Sequence, residues 1–257
     1  RSHRRGKERA LVPDDPTRRH FLGAAALAGG GAFGVLLVGC AATAKPGADE
    51  HAAGPDEHAA GPDEDVSPAE DLMREHGVLK RVLLVYGEAI RRIDAGEDLP
   101  PDPVLDAARL VRSFVEDYHE KLEEIFFFPR FRKADQLVDL VDVLLAQHQG
   151  GRRLTDITIR YANLPSLHDA GGKRQLRDSM AQFIRMYNPH EAREDTVLFP
   201  AFRKIVSAHE YDSLGEDFEK KEHELFGADG FDKMVDRVAR IEKALGIYDL
   251  KQFTPKV

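Results

Sequence analysis

The sequence predicts an all-α protein, in which an antiparallel up-down four-helix bundle is followed by a C-terminal helical extension. Apolar residues and histidines recur at alternating steps of three and four along four long stretches, as in helices that present one face to a core. Short segments containing Gly or Pro separate these stretches, so successive helices are expected to be antiparallel. No stretch alternates with period two, and the sequence therefore predicts no sheet.

The first two predicted helices have clear end signals. Ser67 and Glu70 form an N-terminal capping box, and Gly96 is placed to end the helix that follows. The second helix is predicted to begin near Asp102 and to end by Pro129, because proline cannot donate the helical hydrogen bond. The predicted core faces contain residues 72, 76, 79, 83, 86, 90 and 93 of the first helix and residues 104, 108, 111, 115, 118 and 122 of the second.

The third helix is predicted from about Asp135, and the fourth after the break at Gly171 and Gly172. Their predicted core faces contain residues 137, 141, 144, 148, 151 and 155 of the third helix and residues 176, 180, 183, 187, 190, 194 and 197 of the fourth. Pro189 lies inside the fourth helix and is expected to kink or locally unwind it. Two more helices are expected after the bundle, where His223 is either an exposed helix residue or an external metal ligand.

The N-terminal residues have the pattern of an export signal. Residues 1–20 carry a net charge of +4 and precede an uncharged run, whereas the whole chain carries −8. The segment TRRHFLG, which begins at Thr17, resembles a twin-arginine export signal, in which Arg18 and Arg19 are read by the twin-arginine translocase. The run ends in LVGC, which resembles a bacterial lipobox and implies lipid attachment at Cys40, the only cysteine. The alternatives are a basic flank on a membrane anchor and a buried cysteine within an ordinary signal.

These resemblances imply an exported protein in the periplasm or at the outer face of the cytoplasmic membrane, held there by a lipid anchor. The acidic segment 40–66, with its repeated DEHAAGP, is predicted to be a flexible linker. The predicted domains are the signal segment 1–39, the linker 40–66, the bundle 67–204 and the extension 205–257. The single cysteine excludes a disulfide framework, and the net negative charge argues against a nucleic-acid partner.

The sequence of the bundle repeats itself once. HEKLEEIFFFPRFRK begins at His119, and HEAREDTVLFPAFRK begins at His190, 71 residues later. Both segments place a glutamate four residues after the histidine, and His76 and His148 occupy equivalent positions on the preceding helices. Each half is therefore a helical hairpin with one histidine on its first helix and a His-x-x-x-Glu pair on its second.

Six inward-facing groups predict a pair of metal ions. Residues i and i+4 of an α-helix share one face, so each glutamate is expected one turn beyond its histidine. Buried carboxylates without partners cost several kcal/mol each, whereas imidazole and carboxylate together suit iron, manganese or zinc. A single core histidine is usually structural, but four at duplicated spacing favour a metal site. The predicted ligands are His76, His119, Glu123, His148, His190 and Glu194.

This ligand order on a four-helix bundle resembles the hemerythrin-like (HHE cation-binding) family over residues 67–204. The resemblance implies a non-haem centre of two iron ions that binds dioxygen, with manganese or zinc as less favoured metals. By position, one iron would bind His76 and His119, the other iron would bind His148 and His190, and the bridging carboxylates would be Glu123 and Glu194.

Two departures separate this chain from the oxygen-carrying members of the resembled family. Those proteins have a His-x-x-x-His pair on the third helix, but here Arg152 stands four residues after His148. Their last carboxylate is an Asp five residues after its histidine, a spacing that Asp195 has, although the internal repeat favours Glu194. Fewer protein ligands leave more positions for water, dioxygen or peroxide, which argues against stable reversible oxygen carriage.

Three further residues are candidates for the surroundings of the centre. Tyr187 is either a core aromatic residue or a group that binds or hydrogen-bonds within the site. Glu120 and Glu191 are expected to point away from the ligand face, either as hydrogen-bond partners of ligands or as solvated residues. A ferritin-like centre would need Glu-x-x-His on two helices, and only one helix here has it.

The sequence leaves four functional hypotheses. The first is an exported di-iron protein that binds dioxygen or another small diatomic or peroxide ligand. The second is an oxidoreductase that consumes peroxide or nitric oxide, so enzymatic activity stays an open question at this stage. The third is iron delivery or repair, and the fourth is a structural lipoprotein with an inert metal pair.

Overall fold

The computed structural model describes residues 66–257. The predicted signal segment 1–39, with Arg18 and Arg19, lies outside the described residues. The predicted linker, which begins at Cys40, lies outside them up to residue 65. The described part of the chain forms seven helices and no strand, which confirms the predicted all-α class. Among these seven helices, none combines the length and the hydropathy needed to cross a bilayer.

The seven helices follow one another with short connections. They are α1 (Pro68–Ala95), α2 (101–133), α3 (Val138–Tyr161), α4 (Leu164–His168), α5 (170–205), α6 (Ala208–Phe226) and α7 (Gly230–Ala244), and a 3₁₀ turn (Leu250–Phe253) follows. Helices α1 and α3 each pack against both α2 and α5, which makes these four the bundle. Helix α7 packs on α1 and α2, and α6 packs on α1 and α7, so the extension covers one side of the bundle.

Helix α1 has the predicted ends. The Ser67 Oγ accepts a hydrogen bond from the Glu70 backbone N–H at 3.4 Å, which satisfies one free donor of the first turn. Gly96 adopts the left-handed conformation with φ of 67°, and its N–H bonds back to the last turn. The residues of its predicted face are buried as far as Tyr86, and the last two are partly buried.

Helix α2 does not end by Pro129, and that prediction is wrong. The α-helical segments Pro101–Leu110, Glu120–Leu122 and Phe128–Lys133 are joined by π-helical segments, Val111–His119 and Glu123–Phe127. The Phe128 N–H bonds to the Glu123 carbonyl across one wide turn, and Pro129 then stands in the first turn of a new α-helical segment. A proline is tolerated there because no donor is required.

The predicted starts of α3 and α5 are also corrected. Helix α3 begins at Val138 rather than near Asp135, since Asp135 and Leu137 have left-handed φ values of 53° and 50° that interrupt the helix. Helix α5 begins at Ala170, before the two glycines. A Cβ on Gly172 would lie 2.6 Å from the Ser166 carbonyl oxygen, so this glycine permits the close approach of α4.

Helix α5 resembles α2 in its irregularities. The chain stays α-helical through Pro189 to Arg193, so the predicted local unwinding does not occur at that proline. The π-helical segment Glu194–Leu198 follows, and the α-helical segment Phe199–Ile205 carries Pro200 in its first turn. The two halves of the bundle therefore share one π-helical segment, which in each half begins at the glutamate of the His-x-x-x-Glu pair.

Candidate metal centre

All four helices of the bundle bring predicted ligands to one level of the core. Helices α1 and α3 carry one histidine each, and α2 and α5 carry one histidine and one glutamate each. Every one of the six side chains is buried, with at most 4% of the residue surface exposed: His76, His119, Glu123, His148, His190 and Glu194. The two glutamates are the first residues of the π-helical segments in α2 and α5.

The four imidazoles form two pairs. The Nε2 atoms of His76 and His119 are 3.1 Å apart, and the ring centroids are 4.8 Å apart. The rings of His148 and His190 lie 5.0 Å apart, centroid to centroid. Two nitrogen ligands that lie about 2.1 Å from one ion are about 3 Å apart when they bind at right angles. The separation of the first pair therefore suits a shared metal ion.

The two glutamates connect the pairs. The Glu194 carboxylate lies 3.4 Å from His76 Nε2 through one oxygen and 3.1 Å from His190 Nε2 through the other. The Glu123 Oε2 atom lies 3.9 Å from His119 Nε2 and 3.4 Å from His148 Nε2. Each carboxylate thus contacts one histidine of each pair, which is the arrangement that a bridging ligand requires.

Each imidazole is oriented through its other nitrogen. The Nδ1 atoms donate hydrogen bonds to oxygen acceptors at 2.6 to 3.2 Å, and these four bonds are His76 to Asp195, His119 to Glu75, His148 to Glu124 and His190 to Gln147. Because carboxylate and amide oxygens accept, each Nδ1 carries a proton, and Nε2 is the atom of each ring that can supply a lone pair to a metal ion in the centre. Metal-binding histidines in proteins are usually held in this way.

The orienting residues follow the internal repeat, a signal that the sequence reasoning missed. Glu75 and Gln147 each precede the histidine of the first helix of their half, and Glu124 and Asp195 each follow a bridging glutamate. Asp195 thus holds His76 in place, whereas Glu194 faces both histidine pairs. One equivalence is broken, since the acceptor for His190 is a neutral amide where the acceptor for His119 is a carboxylate.

The buried oxygen atoms of the two glutamates test whether a metal fits. All four carboxylate oxygens of Glu123 and Glu194 are buried without a hydrogen-bond donor, and so is the His148 Nε2 atom. Buried polar atoms are rarely left without partners, and two facing carboxylates are especially costly. Metal ions between the imidazoles and the carboxylates would satisfy these atoms together. The chemistry of the donor set therefore fits a pair of divalent cations.

The electrostatics of the protein groups around the centre are mixed. Burial, with the nearby Glu194 charge next, raises the pKa of Glu123 well above its usual value. Burial opposes the charge on Glu194 too, but His190 and His76 outweigh it and hold its pKa well below the usual range. Burial lowers the pKa of His148 to about 4, so this imidazole is neutral and able to donate its lone pair at neutral pH.

Glu120 and Glu191 are buried, which excludes the solvated alternative for both. Each pairs with a cation on the first helix of the other half, Glu120 with Arg152 and Glu191 with Lys80, both at 2.6 Å. Burial raises the pKa of Glu120 to about 8. These pairs flank the two histidine pairs at positions that the repeat makes equivalent.

Tyr187 extends one of these pairs. Its hydroxyl donates a hydrogen bond to Glu120, and its ring makes an edge contact with His190 at 5.3 Å. The hydroxyl is thus committed to a carboxylate beside the centre. His223 is exposed on α6 and takes no part in the cluster, in agreement with the first of its two alternatives.

Comparison with known proteins gives one family and several relatives. The profile described as the hemerythrin HHE cation binding domain matches residues 67–166 and, in an overlapping second match, residues 139–254. The chain is 45% identical over 238 residues to the uncharacterized proteins Mb2018 of Mycobacterium bovis and Rv1995 of Mycobacterium tuberculosis. These similarities cover 93% of this chain and 91% of each relative. No solved structure matches the chain significantly.

Proposed function

The chain belongs to the hemerythrin HHE cation-binding family, and on that premise we propose that it is an exported non-haem di-iron protein that binds dioxygen or a related small oxidant. The proposed iron ligands are the two histidine pairs and the two glutamates that contact both pairs. The observation that supports this proposal most strongly is the convergence of imidazole Nε2 atoms and unpartnered carboxylate oxygens in one buried cluster.

The family favours iron among the metals that this donor set can hold. Two imidazoles and a share of two carboxylates per ion suit Fe²⁺, Mn²⁺ and Zn²⁺. When bound, a pair of iron ions would supply the one-electron redox chemistry and the affinity for small oxidants that protein side chains lack. The chain itself holds the ligands in place and excludes water from them.

Two buried aromatic rings, which pack against the imidazoles, would keep water from the centre. Phe199 stacks on His76 with ring centroids 5.7 Å apart, and Phe128 stacks on His148 at 5.5 Å. Phe128 and Phe199 are equivalent in the internal repeat and are both buried. A dry site strengthens the electrostatic interactions between ligands and cations. It also admits only small, weakly polar molecules.

Export belongs to the same proposal. The twin-arginine pathway carries folded proteins, so the iron ions would be bound in the cytoplasm, where their supply is controlled. Recognition would rest on Arg18 and Arg19, and the mature protein would be anchored to the membrane through lipid on Cys40. Replacing Cys40 by serine is expected to release the protein from the membrane fraction without changing its metal content.

Metal analysis with an optical spectrum tests the central part of the proposal. The purified chain is expected to contain about two iron ions and to show absorption bands that change when dioxygen or azide is added. Zinc as the sole metal, or iron without any response to small ligands, would contradict the proposed function. Rapid loss of iron to a chelator would instead favour iron delivery or repair.

A second candidate function, reduction of peroxide or nitric oxide, is favoured by the hydroxyl group beside the centre. Tyr187 and Glu120 form a buried hydrogen-bonded pair next to His190, and such a pair can hold and pass on a proton. Turnover of peroxide by the iron-loaded chain, lost in Tyr187→Phe with unchanged iron content, would support this candidate. Binding without turnover would support the first.

A further inference from the structure

A second group of acidic side chains lies on the outer side of His119. Asp71 and Glu75 are one turn apart on α1, and Glu222 reaches them from α6. Their carboxylate oxygens all lie within 4.8 Å of one another. Glu75 belongs to both groups, because its Oε2 accepts the His119 hydrogen bond and its Oε1 has no partner.

The orienting role alone does not require a carboxylate at residue 75. In the other half of the bundle, the amide of Gln147 orients His190 at 2.8 Å and does so without a charge. The repeat equivalent of Asp71 is Val143, so the acidic group exists in one half only. The carboxylate of Glu75 is therefore not needed to orient His119, and the second half of the bundle has no equivalent of this acidic group.

A second observation points to a ligand in this group. The hydroxyl of Tyr118 makes no hydrogen bond in the described structure, although only 1% of the residue is exposed to solvent. Burial raises the pKa of this hydroxyl, and the neighbouring charges of Glu75, Asp71 and Glu222 raise it further. The phenol oxygen and the Glu75 Oε1 atom are therefore both buried, and neither makes a hydrogen bond of ordinary length and angle. A bound cation would satisfy the carboxylates and draw the hydroxyl oxygen toward it.

The group is reached from solvent through an acidic groove. The groove has a volume of about 330 Å³ and is lined by six carboxylates, of which Asp71 and Glu222 are the innermost, and by one basic residue, Arg74. Arg74 stacks over the Phe231 ring at 4.5 Å and lies 3.9 Å from Asp71, so it neutralises the groove only in part. A groove of this charge concentrates cations at its inner end.

Glu222 has a structural task as well. Its Oε1 accepts a hydrogen bond from the Phe231 backbone N–H at 2.7 Å, which holds the start of α7. The other oxygen remains for the acidic group. Glutamine at this position would keep the Phe231 contact while removing the charge, so it separates the structural task from cation binding.

We propose that Asp71, Glu75 and Glu222 form a carboxylate site for a divalent cation, which receives Fe²⁺ from the groove and passes it to the buried centre beside His119. Oxygen-only ligands suit hard divalent ions, and Glu75 links the two sites because it belongs to the acidic group and also accepts the hydrogen bond from His119. The site itself is independent of the proposed function, whereas its role in loading rests on it.

Mn²⁺ binding measured by electron paramagnetic resonance tests the site. The full chain is expected to bind one Mn²⁺ more than the central pair, and Asp71→Asn with Glu222→Gln should weaken this extra binding about tenfold or more. The matched control, Glu216→Gln with Asp232→Asn, removes the same charge from the same groove and should change the affinity by about twofold at most. Equal weakening in both variants, or no extra Mn²⁺, would overturn the site.

Loading kinetics test the route. With Fe²⁺ added to metal-depleted protein, the Asp71→Asn, Glu222→Gln variant should fill the centre about fivefold more slowly than the control and reach the same final iron content. An unchanged rate would overturn the loading role. A single Asp71→Asn chain, whose altered residue is partly exposed, gives the same readouts if the double variant misfolds. Failure of the wild-type centre to take up iron would instead count against the proposed function, since Mn²⁺ binding at the outer group does not need it.

Discussion

Replacing Gln147 by glutamate should make the two metal positions of the centre more alike. In the first histidine pair, both imidazoles donate to carboxylates, Asp195 and Glu75. In the second pair, His190 donates to the Gln147 amide, and the carboxylate that orients His148 also binds Arg152 at 2.7 Å. Carboxylate partners make an imidazole a better metal ligand, so the first pair should bind its ion more tightly than the second.

The size of the effect follows from the geometry. Gln147 is partly exposed and lies 2.8 Å from His190 Nδ1, so a carboxylate can replace the amide without a large desolvation cost. Orienting partners of metal-bound histidines typically change metal affinity 10- to 100-fold. Gln147→Glu should therefore tighten the second metal position by about 1.4–2.7 kcal/mol.

A competition titration with a chromophoric chelator measures both positions. Wild-type protein at pH 8 should take up Co²⁺ in two resolved steps, and Gln147→Glu should strengthen the weaker step alone. Gln149→Glu is the matched control, because it adds the same charge to an exposed position two residues away on α3. Two equal steps in the wild type, or the same shift in both variants, would refute the reasoning.

Three other changes have defined outcomes. A metal present at about 1,000 times its dissociation constant adds about 4 kcal/mol to the free energy of unfolding. Removing the metal with a chelator should therefore lower the melting temperature measured by circular dichroism by about 8–16 °C. An unchanged melting temperature of the metal-free protein would contradict this. Burial raises the pKa of Asp71 to about 7 and that of Glu75 to about 8, so protons compete with the cation at both carboxylates. The apparent Mn²⁺ affinity should therefore fall at least about tenfold per pH unit below pH 7, and a pH-independent affinity would exclude both residues as ligands. Gly151→Ala should lower the free energy of unfolding by about 1–3 kcal/mol in chemical denaturation, because its Cβ would lie 2.5 Å from the Tyr187 hydroxyl oxygen. The control Gly150→Ala, whose Cβ would have no atom nearer than 3.6 Å, should leave that free energy unchanged or raise it by up to about 1 kcal/mol.

The two ends of α1 could be predicted from the sequence because the residues that define them act locally. The capping residue Ser67 and the terminal glycine Gly96 act within a few residues of their own positions, and both helix ends agree with the structure. Pro129 was misleading for a related reason. Its effect depends on whether the preceding turn is α- or π-helical, and the sequence around it does not indicate that this turn is π-helical.

The convergence of the six predicted ligands could be inferred from the duplicated spacing, whereas their supporting contacts could not. The bond between His76 and Asp195 joins residues 119 positions apart, and its existence depends on how α1 and α5 are rotated against each other. Periodicity identifies the buried face of each helix but not this rotation. The same limitation hid the outer acidic group, which forms only when α6 folds back onto α1.

The metal content of ligand variants is the most direct test of the proposed centre. Wild-type protein and His223→Ala, which alters an exposed histidine, should each contain about two metal ions by elemental analysis, whereas His119→Ala and Glu194→Ala should contain less than about half as much. Circular dichroism confirms that each variant is folded. Normal metal content in folded His119→Ala and Glu194→Ala protein would contradict a centre built from the two histidine pairs and their bridging carboxylates.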